Sequence, residues 1–181
     1  MPANIAPPAL LLETVDTPLG GFLLLCDGQG VVHAADFADC EARLWALLRR
    51  NRGSAPLDIG RGAVPTALKD KVAAYFAGDV RALDSIVLAP RGTDFQSTLW
   101  ARLRTVPPGS TLSYTAMAEA IGRPTAVRAV GHANGANPFC IIVPCHRLIG
   151  ADGSLVGYSG GLTRKRWLLD HERQCAAMSG G

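Results

Sequence analysis

Residues 141–150, with the sequence IIVPCHRLIG, set a cysteine beside a histidine directly after a proline. A free cysteine has a pKa of about 8.5, so only about 3% of it is the nucleophilic thiolate at neutral pH. His146 could accept the Cys145 proton directly or through one water, and a carboxylate bound to the other ring nitrogen would fix the tautomer. Glu172 is the candidate carboxylate, on a predicted helix over residues 162–172. The three residues indicate a nucleophile, a base and an orienting acid.

The setting of this pair is predicted to be a bend. Neighbouring side chains on a strand point to opposite faces, so adjacency alone does not bring Cys145 and His146 together. Pro144 disfavours regular structure and predicts an irregular bend here. A bare Cys-His pair is more often structural than catalytic, and other features must therefore support a catalytic role.

The first half of the chain has the pattern of a strand region with two helices. Alternating apolar residues are separated by turn residues such as Asp27-Gly28-Gln29-Gly30, which is typical of hairpins. Apolar residues at helical spacing then predict two amphipathic helices. Pro90 and Gly92 interrupt regular structure and indicate a linker. The predicted elements are strands at residues 11–17, 22–26, 31–37 and 85–88 and helices at residues 39–50 and 66–76.

The second half has the pattern of short helices. Two of them, joined by a tight turn that contains Gly122, form a helix-turn-helix pattern, which many proteins that do not bind DNA also contain. The second helix of the pair has small side chains, and Arg128 is its one long cation. The small residues would allow this helix to enter a narrow DNA groove or to pack tightly against another helix, about equally well. Packing would bury Arg128, however, and a buried arginine needs a partner that the small residues do not offer. The predicted helices cover residues 94–105, 113–121, 126–134 and 162–172, with caps at Thr111 or Ser113 and at Thr125.

Composition limits the class of protein. With 181 residues, 48% hydrophobic and 18% charged, the chain can bury a core and is not a disordered protein. No Lys or Arg precedes Arg43, and no apolar run approaches the roughly 20 residues of a membrane span, so we expect a cytoplasmic protein without a membrane anchor. Five cysteines without tight spacing do not indicate a disulfide framework. The chain after residue 93 has an excess of positive charge, with nine Lys and Arg and five Asp and Glu. This excess is a mild indication of a phosphate-facing surface.

Further motifs accompany the Cys-His pair. They are Arg128-Ala129-Val130-Gly131, Asn137-Pro138, Pro144-Cys145-His146-Arg147, Tyr158-Ser159-Gly160-Gly161-Leu162, Lys165, Trp167-Leu168-Leu169 and His171-Glu172. In this order they closely resemble the motifs of the O6-alkylguanine-DNA alkyltransferase family. The resemblance is dense from residue 93 to residue 173, and weaker but compatible before it.

The resemblance implies a fold of two domains. Residues 1–88 would form an α/β domain, a ribonuclease H-like β-sheet with helices, and residues 89–93 the linker. Residues 94–175 would form a mainly α domain of winged helix-turn-helix type, which carries the DNA-binding surface and the active site. Residues 176–181 would form a tail.

The resemblance also implies an activity. Such proteins repair O6-alkylguanine in duplex DNA by moving the alkyl group irreversibly onto their own cysteine after the nucleotide flips out, and we expect O4-alkylthymine as a further substrate. The product is a thioether, so each protein would act once, without a metal or an organic cofactor. The partner would be double-stranded DNA, bound in its minor groove by a monomer, with cooperative binding left open.

The catalytic roles that the resemblance implies fall on five residues. Cys145 would accept the alkyl group, His146 would be its base, and Glu172 would orient the base. Asn137 would brace the turn between the recognition helix and the active-site strand. Tyr114 would crowd the target phosphate, and could protonate the departing guanine at a ring nitrogen.

The implied binding roles fall on two further groups. Arg128 would fill the vacated stack, and the backbone of Leu148 would help to read the amino group of guanine. The expected DNA-binding residues are Thr115, Ala126, Arg128, Ala129 and Gly131. The expected substrate-binding residues are Tyr114, Leu148, Tyr158, Ser159, Gly160 and Lys165.

Two departures from the family pattern and two alternative functions remain. Cys26, His33 and Cys40 do not reproduce the zinc site of vertebrate members, and we interpret them as ordinary fold residues. His132 is bulkier than the small residue often found in this recognition helix. One alternative is a non-catalytic protein that binds alkylated DNA, although such proteins lack this cysteine. The other is a cysteine hydrolase, although nothing in the sequence indicates an oxyanion hole.

Overall fold

A four-stranded mixed sheet forms the first half of the structure, a computed structural model that describes residues 9–52 and 58–178. Its strand order is β3-β2-β1-β4; the pairs β3–β2 and β2–β1 are antiparallel, and β4 is parallel to β1. The three predicted hairpin strands are confirmed, with ends shifted by one or two residues. The strands are β1 (Leu10–Thr17), β2 (Gly20–Cys26), β3 (Val32–Phe37) and β4 (Ile59–Arg61).

This sheet packs against other elements on both faces, because successive side chains along a strand point to opposite sides. Leu23 and Leu25 of β2 pack under helix α1 (Glu41–Arg52). Leu24, between them, faces the other side, where helix α2 (Thr66–Ala77) and the second half of the chain cover it. Both helices were predicted from the helical spacing of their apolar residues and are confirmed.

Two elements of this half differ from the prediction. The predicted strand at residues 85–88 is wrong: a 3₁₀ turn at Ala82–Ser85 is followed by one isolated bridge between Leu88 and Val32. Pro90 lies two residues beyond the bridge and has no N–H to extend a ladder. Strand β4 was not predicted, because three residues are too short to carry a periodic pattern.

Helices and one short parallel ladder form the second half. A capping box between Thr93 and Gln96 starts the first helix, and the Ser113 hydroxyl caps the second. None of the helices that the structure describes is long and apolar enough to cross a membrane. The elements are α3 (Asp94–Arg104), β5 (Leu112–Ser113), α4 (Tyr114–Ala120), α5 (Val127–Gly135), β6 (Leu148–Ile149) and α6 (Leu162–Met178), with β5 beside β6.

The predicted helices of this half are confirmed, with differences at their ends. Ser113, one of the two candidates, is the residue that caps α4. Thr125 does not cap α5, because the first helical residue is Val127 and its N-cap position has no side-chain bond. Helix α6 continues past Glu172 and ends at Met178.

One hydrophobic core joins the two halves. Phe37 of the sheet and Val130 of α5 belong to the same buried cluster. The backbones are joined as well, since Ala35 of β3 donates to the Pro138 oxygen and accepts from the Cys140 nitrogen, each at 2.8 Å. The segment that follows α5 is therefore anchored on the edge of the sheet.

Candidate active site

Cys145 and His146 lie on one 3₁₀ turn, Cys145–Arg147, that follows Pro144. Pro144 has ψ 65°, outside the values of helix and strand, so the predicted bend is confirmed. This turn stands where the resemblance implied a strand, and β6 begins only at Leu148. On a 3₁₀ turn, successive side chains diverge by about a third of a turn and do not point to opposite faces.

The Glu172 carboxylate is the centre of a buried hydrogen-bond network. It accepts bonds from His146 Nε2 (2.8 Å), the Tyr75 hydroxyl (2.9 Å), two nitrogens of Arg147 (2.8 and 2.9 Å) and the Gly109 N–H (3.1 Å). Burial disfavours the charged carboxylate, but the bonds and charges of His146 and Arg147 outweigh burial and hold the pKa of Glu172 well below its usual range. The carboxylate is therefore a fixed negative charge behind the imidazole.

The imidazole of His146 is held in one tautomer. Because the Glu172 carboxylate can only accept, Nε2 carries the proton and Nδ1 is an acceptor. Nδ1 is buried and has no hydrogen-bond partner among the described residues. Burial lowers the pKa of His146 and outweighs the opposing charge of Glu172, so the ring is neutral at neutral pH. A neutral ring with an open acceptor nitrogen can take up a proton.

The thiol of Cys145 is more acidic than an ordinary cysteine. A hydrogen bond from the Cys140 thiol lowers its pKa most, and burial raises it. The side chain of Asn137 and the charge of Arg43 lower the pKa further, and the net shift is downward. The sequence predicted that the Cys145 proton passes to His146 either directly or through one water. Within the described part of the chain, no hydrogen bond joins this thiol to His146, so the structure shows no direct route.

Two buried asparagines hold the turn that carries Cys145. Asn137 Nδ2 donates to the Val143 oxygen (3.0 Å), and its Oδ1 accepts a backbone N–H two residues further on (2.9 Å). Asn134 Nδ2 donates to the backbone oxygen of Cys145 (3.3 Å). In the segment just before this turn, Ile141 has φ 66°, the one left-handed value at a non-glycine among the described residues. The backbone is strained there and persists because its surroundings fix it.

A pocket of about 230 Å³ opens beside the Cys145 thiol. The Tyr114 hydroxyl stands at its wall, 3.5 Å from the Asn134 amide nitrogen. Burial raises the pKa of Tyr114, so this hydroxyl keeps its proton. The pocket is lined by Tyr114, Gly131, Asn134, Gly135, Cys145, Gly157, Tyr158 and Ser159.

Three of the predicted substrate-binding residues support the pocket from behind and do not line it. Lys165 is 0% exposed and donates to three backbone oxygens, among them those of Leu148 and Val156. Burial lowers the pKa of Lys165 to about 8. Gly160 lies against the Tyr158 ring, where an added Cβ would be 2.8 Å from a ring carbon.

The predicted DNA-binding residues lie on α4, on α5 and at the residue before α5, and none of them is fully buried. Thr115, Arg128 and Ala129 are exposed, whereas Ala126 and Gly131 are half-buried. Arg128 makes no hydrogen bond or ion pair with any residue that the structure describes. The opposite side of α5 enters the core, so tight packing accounts for its small residues only on that side.

Arg43 and Tyr75 of the sheet half contact the site, and the sequence predicted neither contact. Arg43 donates to the backbone oxygens of Gly135 (2.8 Å) and Asn137 (2.9 Å). Tyr75 supplies one of the bonds to Glu172. These partners are 92 to 97 residues apart along the chain, and no motif or local periodicity signals a contact at such a separation.

Cys26 is buried in the core, and His33 and Cys40 have hydrogen-bond partners of their own. Burial raises the pKa of Cys26 to about 11, the His33 ring bonds the Asp27 carboxylate at 3.3 Å, and the Cys40 thiol donates to the Ser159 oxygen at 3.6 Å. Across residues 9–52 and 58–178, no three His, Cys, Asp or Glu side chains are grouped as a metal site would need.

Comparison with known proteins decides the family. A family model described as the DNA binding domain of 6-O-methylguanine DNA methyltransferase matches residues 94–174. A methylated-DNA–protein-cysteine methyltransferase of Shigella flexneri is 43% identical over 163 residues, which cover 90% of this chain and 95% of that protein. The chain belongs to this family. The resemblance inferred from the sequence motifs is therefore confirmed.

Solved structures of the family agree with the architecture. The crystal structure of Mycobacterium tuberculosis OGT in complex with DNA matches with a TM-score of 0.73 and 39% identity, over 91% of this chain and 94% of that one. The O6-methylguanine-DNA methyltransferase of the hyperthermophilic archaeon Pyrococcus kodakaraensis matches with a TM-score of 0.69 and 29% identity, over 90% and 98%. The expectation of an α/β half followed by a mainly helical half is confirmed.

Proposed function

We propose that this family member moves the alkyl group of O6-alkylguanine in duplex DNA onto its own Cys145 and is consumed by the reaction. One observation carries the proposal: an acidified thiol opens on a pocket, and the next residue is a neutral imidazole anchored on a buried carboxylate. The sulfur attacks the alkyl carbon, the carbon–sulfur bond forms as the carbon–oxygen bond breaks, and the electron pair passes to the guanine oxygen. Neither water nor a thiol readily removes the group from the thioether.

His146 is the base for this step. Its Nδ1 accepts the Cys145 proton through one bridging water, because that nitrogen is the open acceptor of the ring. The fixed charge of Glu172 then stabilises the imidazolium that forms. Asn137 keeps the turn in the strained shape that presents the thiol to the pocket.

Tyr114 acts on the leaving group. Guanine leaves poorly as a bare anion, and a donor aimed at its developing charge stabilises the transition state. The Tyr114 hydroxyl stands at the pocket wall and keeps its proton, so it can protonate a ring nitrogen of the departing guanine. Before the chemical step, the same side chain crowds the phosphate of the target nucleotide.

DNA is bound through α4 and α5, acting as a winged helix-turn-helix in the minor groove. Chemistry at the O6 atom cannot proceed inside the base stack, so the nucleotide is flipped into the pocket. Arg128 fills the vacated position, which fits its exposure and its lack of a partner within the described residues. The small or short side chains of Thr115, Ala126, Ala129 and Gly131 let the backbone approach the groove.

The loop from residue 150 to residue 161 holds the flipped base. Tyr158 and Ser159 form its wall, and Gly160 leaves room for the Tyr158 ring. Lys165 fixes the loop through backbone oxygens, and the backbone of Leu148 reads the amino group of guanine. A volume of about 230 Å³ is below the roughly 300–1,000 Å³ of sites for drug-sized ligands and suits a single base.

The same proposal assigns the domains and the working conditions. Residues 1–88 are a ribonuclease H-like domain, residues 89–93 the linker and residues 94–175 the DNA-binding domain, with the tail after residue 175 beginning inside α6. The protein acts as a monomer in a reducing cytoplasm, where a free thiol persists. The displacement needs no redox partner or carrier, and O4-alkylthymine presents an equivalent alkyl–oxygen bond.

Replacement of the nucleophile tests the proposal. Cys145→Ala should abolish transfer from a duplex with labelled O6-methylguanine, while affinity for that duplex, measured by fluorescence anisotropy, is retained. Cys175→Ala, a thiol on the outer part of α6, is the matched control and should transfer normally. Transfer that persists in Cys145→Ala, or that is lost equally in the control, would contradict the proposal.

A further inference from the structure

Arg164, in the first turn of α6, joins the loop beside the pocket to the sheet half and has no role in the reaction described so far. Its Nη1 donates to the backbone oxygen of Gly160 (3.2 Å) and to the Asp39 carboxylate (2.9 Å). Its Nε and Nη2 both donate to the backbone oxygen of Leu19, at 3.3 and 3.2 Å. The guanidinium thus bridges one residue beside the pocket and two segments of the sheet half, which its planar fork of donors makes possible.

Packing on one aromatic ring supports these bonds. The central carbon of the Arg164 guanidinium lies 4.2 Å from the centroid of the Phe37 ring. Gly160 lies against the same ring, since a Cβ added there would be 3.2 Å from a ring carbon. Phe37 belongs to β3 and is 0% exposed, in the core that the two halves share. The guanidinium and the residue that it holds are therefore both seated on the core of the sheet half.

Residues 150–161, which we call the pocket loop, are held at both ends of the part that lines the pocket. Lys165 binds the backbone oxygen of Val156, just before the lining residues. Arg164 binds that of Gly160, just after them. To move outward, this wall must break the Gly160 bond or pull Arg164 away from the sheet half. The lining residues of the loop are Gly157, Tyr158 and Ser159.

We propose that Arg164 is a positioning residue that limits the size of the alkyl group, because it holds the pocket loop against the sheet half. The inference rests on the proposed function, since it concerns which O6-alkylguanines react. A base with a methyl group enters the pocket of about 230 Å³ with the wall in place, and it benefits from a loop that is already ordered. A base with a benzyl group needs the wall to move outward, which breaks bonds of Arg164 and leaves their donors or acceptors unpaired.

Arg164→Ala tests the inference with two duplexes that differ only in the alkyl group, O6-methylguanine or O6-benzylguanine. Single-turnover transfer to Cys145 is followed by peptide mass over a range of DNA concentrations. With the methyl duplex, the half-saturating concentration should rise about fivefold, because the loop must now be ordered on binding, and the limiting rate should stay within about twofold. With the benzyl duplex, transfer should become faster, so the preference for methyl over benzyl should fall at least about fivefold.

Amide hydrogen exchange of the free protein provides a measurement that does not depend on transfer. The Gly161 N–H, which donates to the Tyr158 oxygen at 3.0 Å within the pocket loop, should exchange faster in Arg164→Ala. The amides of β2, in the centre of the sheet, should exchange as in the unmodified protein. This pattern would show a local release of the loop and exclude a general loss of stability.

Arg166→Ala is the control, because Arg166 is an exposed arginine of the same helix and its removal changes the net charge equally. The preference between the two duplexes should be that of the unmodified protein. An unchanged preference in Arg164→Ala, whether or not transfer is slower, would overturn the inference and leave Arg164 as a structural residue. So would an equal change of preference in Arg166→Ala. Failure of the proposed function would look different: the unmodified protein would transfer neither alkyl group, while exchange at Gly161 would still report the released loop.

Discussion

The two halves of the molecule differ in the number of polar residues that they bury. In the sheet half, Asp36 is the one buried charged or polar residue among those that the structure describes. The helical half buries six in its described part, namely Asn134, Asn137, His146, Arg147, Lys165 and Glu172. The sheet half is stabilised by leucines packed on both faces of β2, whereas the centre of the helical half is a connected polar network.

This difference shows where stability and function reside. A buried ion costs several kcal/mol unless it is paired and fully hydrogen-bonded, so a network of this kind adds less stability than an apolar core of equal volume. What it provides is a fixed geometry and a fixed set of protonation states around Cys145. The sheet half is nevertheless part of the site, because Arg43 and Tyr75 reach across to it.

The largest effect is expected from Glu172→Gln, which removes the centre of the polar network. The amide has one acceptor oxygen, so its NH2 group would replace the oxygen that accepts from Arg147 Nε and the Gly109 N–H and would face those two donors. The protein should therefore lose about 3–5 kcal/mol of unfolding free energy. Transfer should slow by at least about 100-fold, because the base loses its orienting charge. Urea unfolding and single-turnover kinetics measure the two losses, with the exposed Glu119→Gln on α4 as the control. Near-normal values of both would mean that the network is not the functional centre.

Leu24→Ala tests the opposite half. The leucine is 0% exposed in the sheet, and its truncation should cost about 3 kcal/mol of stability through the cavity that it leaves. The single-turnover rate of the folded protein should stay unchanged, because no atom of the site is touched. If the transfer rate of the folded protein fell together with its stability, packing in the sheet half would also control the chemical step, contrary to the comparison.

Arg128→Ala should affect function without affecting stability. The side chain is exposed and unpaired within the described residues, so unfolding should change by less than about 0.5 kcal/mol. Transfer from duplex DNA should fall about tenfold, since the proposed role of Arg128 is to replace the flipped nucleotide in the stack. Arg81→Ala, an exposed arginine of the sheet half, removes the same charge and should have no comparable effect. Equal losses in both variants would point to net charge as the cause.

The smallest expected effect is the acid dependence of transfer. Burial lowers the pKa of His146 from its usual value, so the base should become protonated only below about pH 6.5, and transfer should then fall by up to about tenfold per pH unit. Stability falls in the same direction, because the unfolded state binds the proton more readily than the folded one, so circular dichroism must show that the protein remains folded. A flat rate through this range would exclude His146 as the base.

The sequence predicted the parts of the molecule that depend on local pattern. Alternating apolar residues and turn chemistry predicted β1 to β3, and the cap at Ser113 marked the start of α4. Strand β4 was missed because it is held by its neighbour β1 and has no pattern of its own. The predicted cap at Thr125 failed because a backbone turn begins α5 without a side-chain bond.

The site was predictable to the same extent. Cys145, His146 and Glu172 could be named because two are adjacent and the third follows on a recognisable helix, and the structure brings the imidazole and the carboxylate to 2.8 Å. Tyr75 and Arg43 could not be named, because their contacts are made by packing between distant segments. Cys140 could not be distinguished from the other four cysteines, because its contact with the Tyr158 hydroxyl, at 3.1 Å, is also made by packing between separate segments.

The central claim is that this protein accepts one alkyl group on Cys145 and does so once. The most direct test mixes the protein with an excess of duplex DNA that carries one radiolabelled O6-methylguanine, counts the methyl groups transferred per chain and locates them by peptide mass. We expect the transfer to reach a plateau at one methyl group per chain, with the label on Cys145. Repeated turnover, no transfer, or a label on another residue such as Cys140 would contradict it.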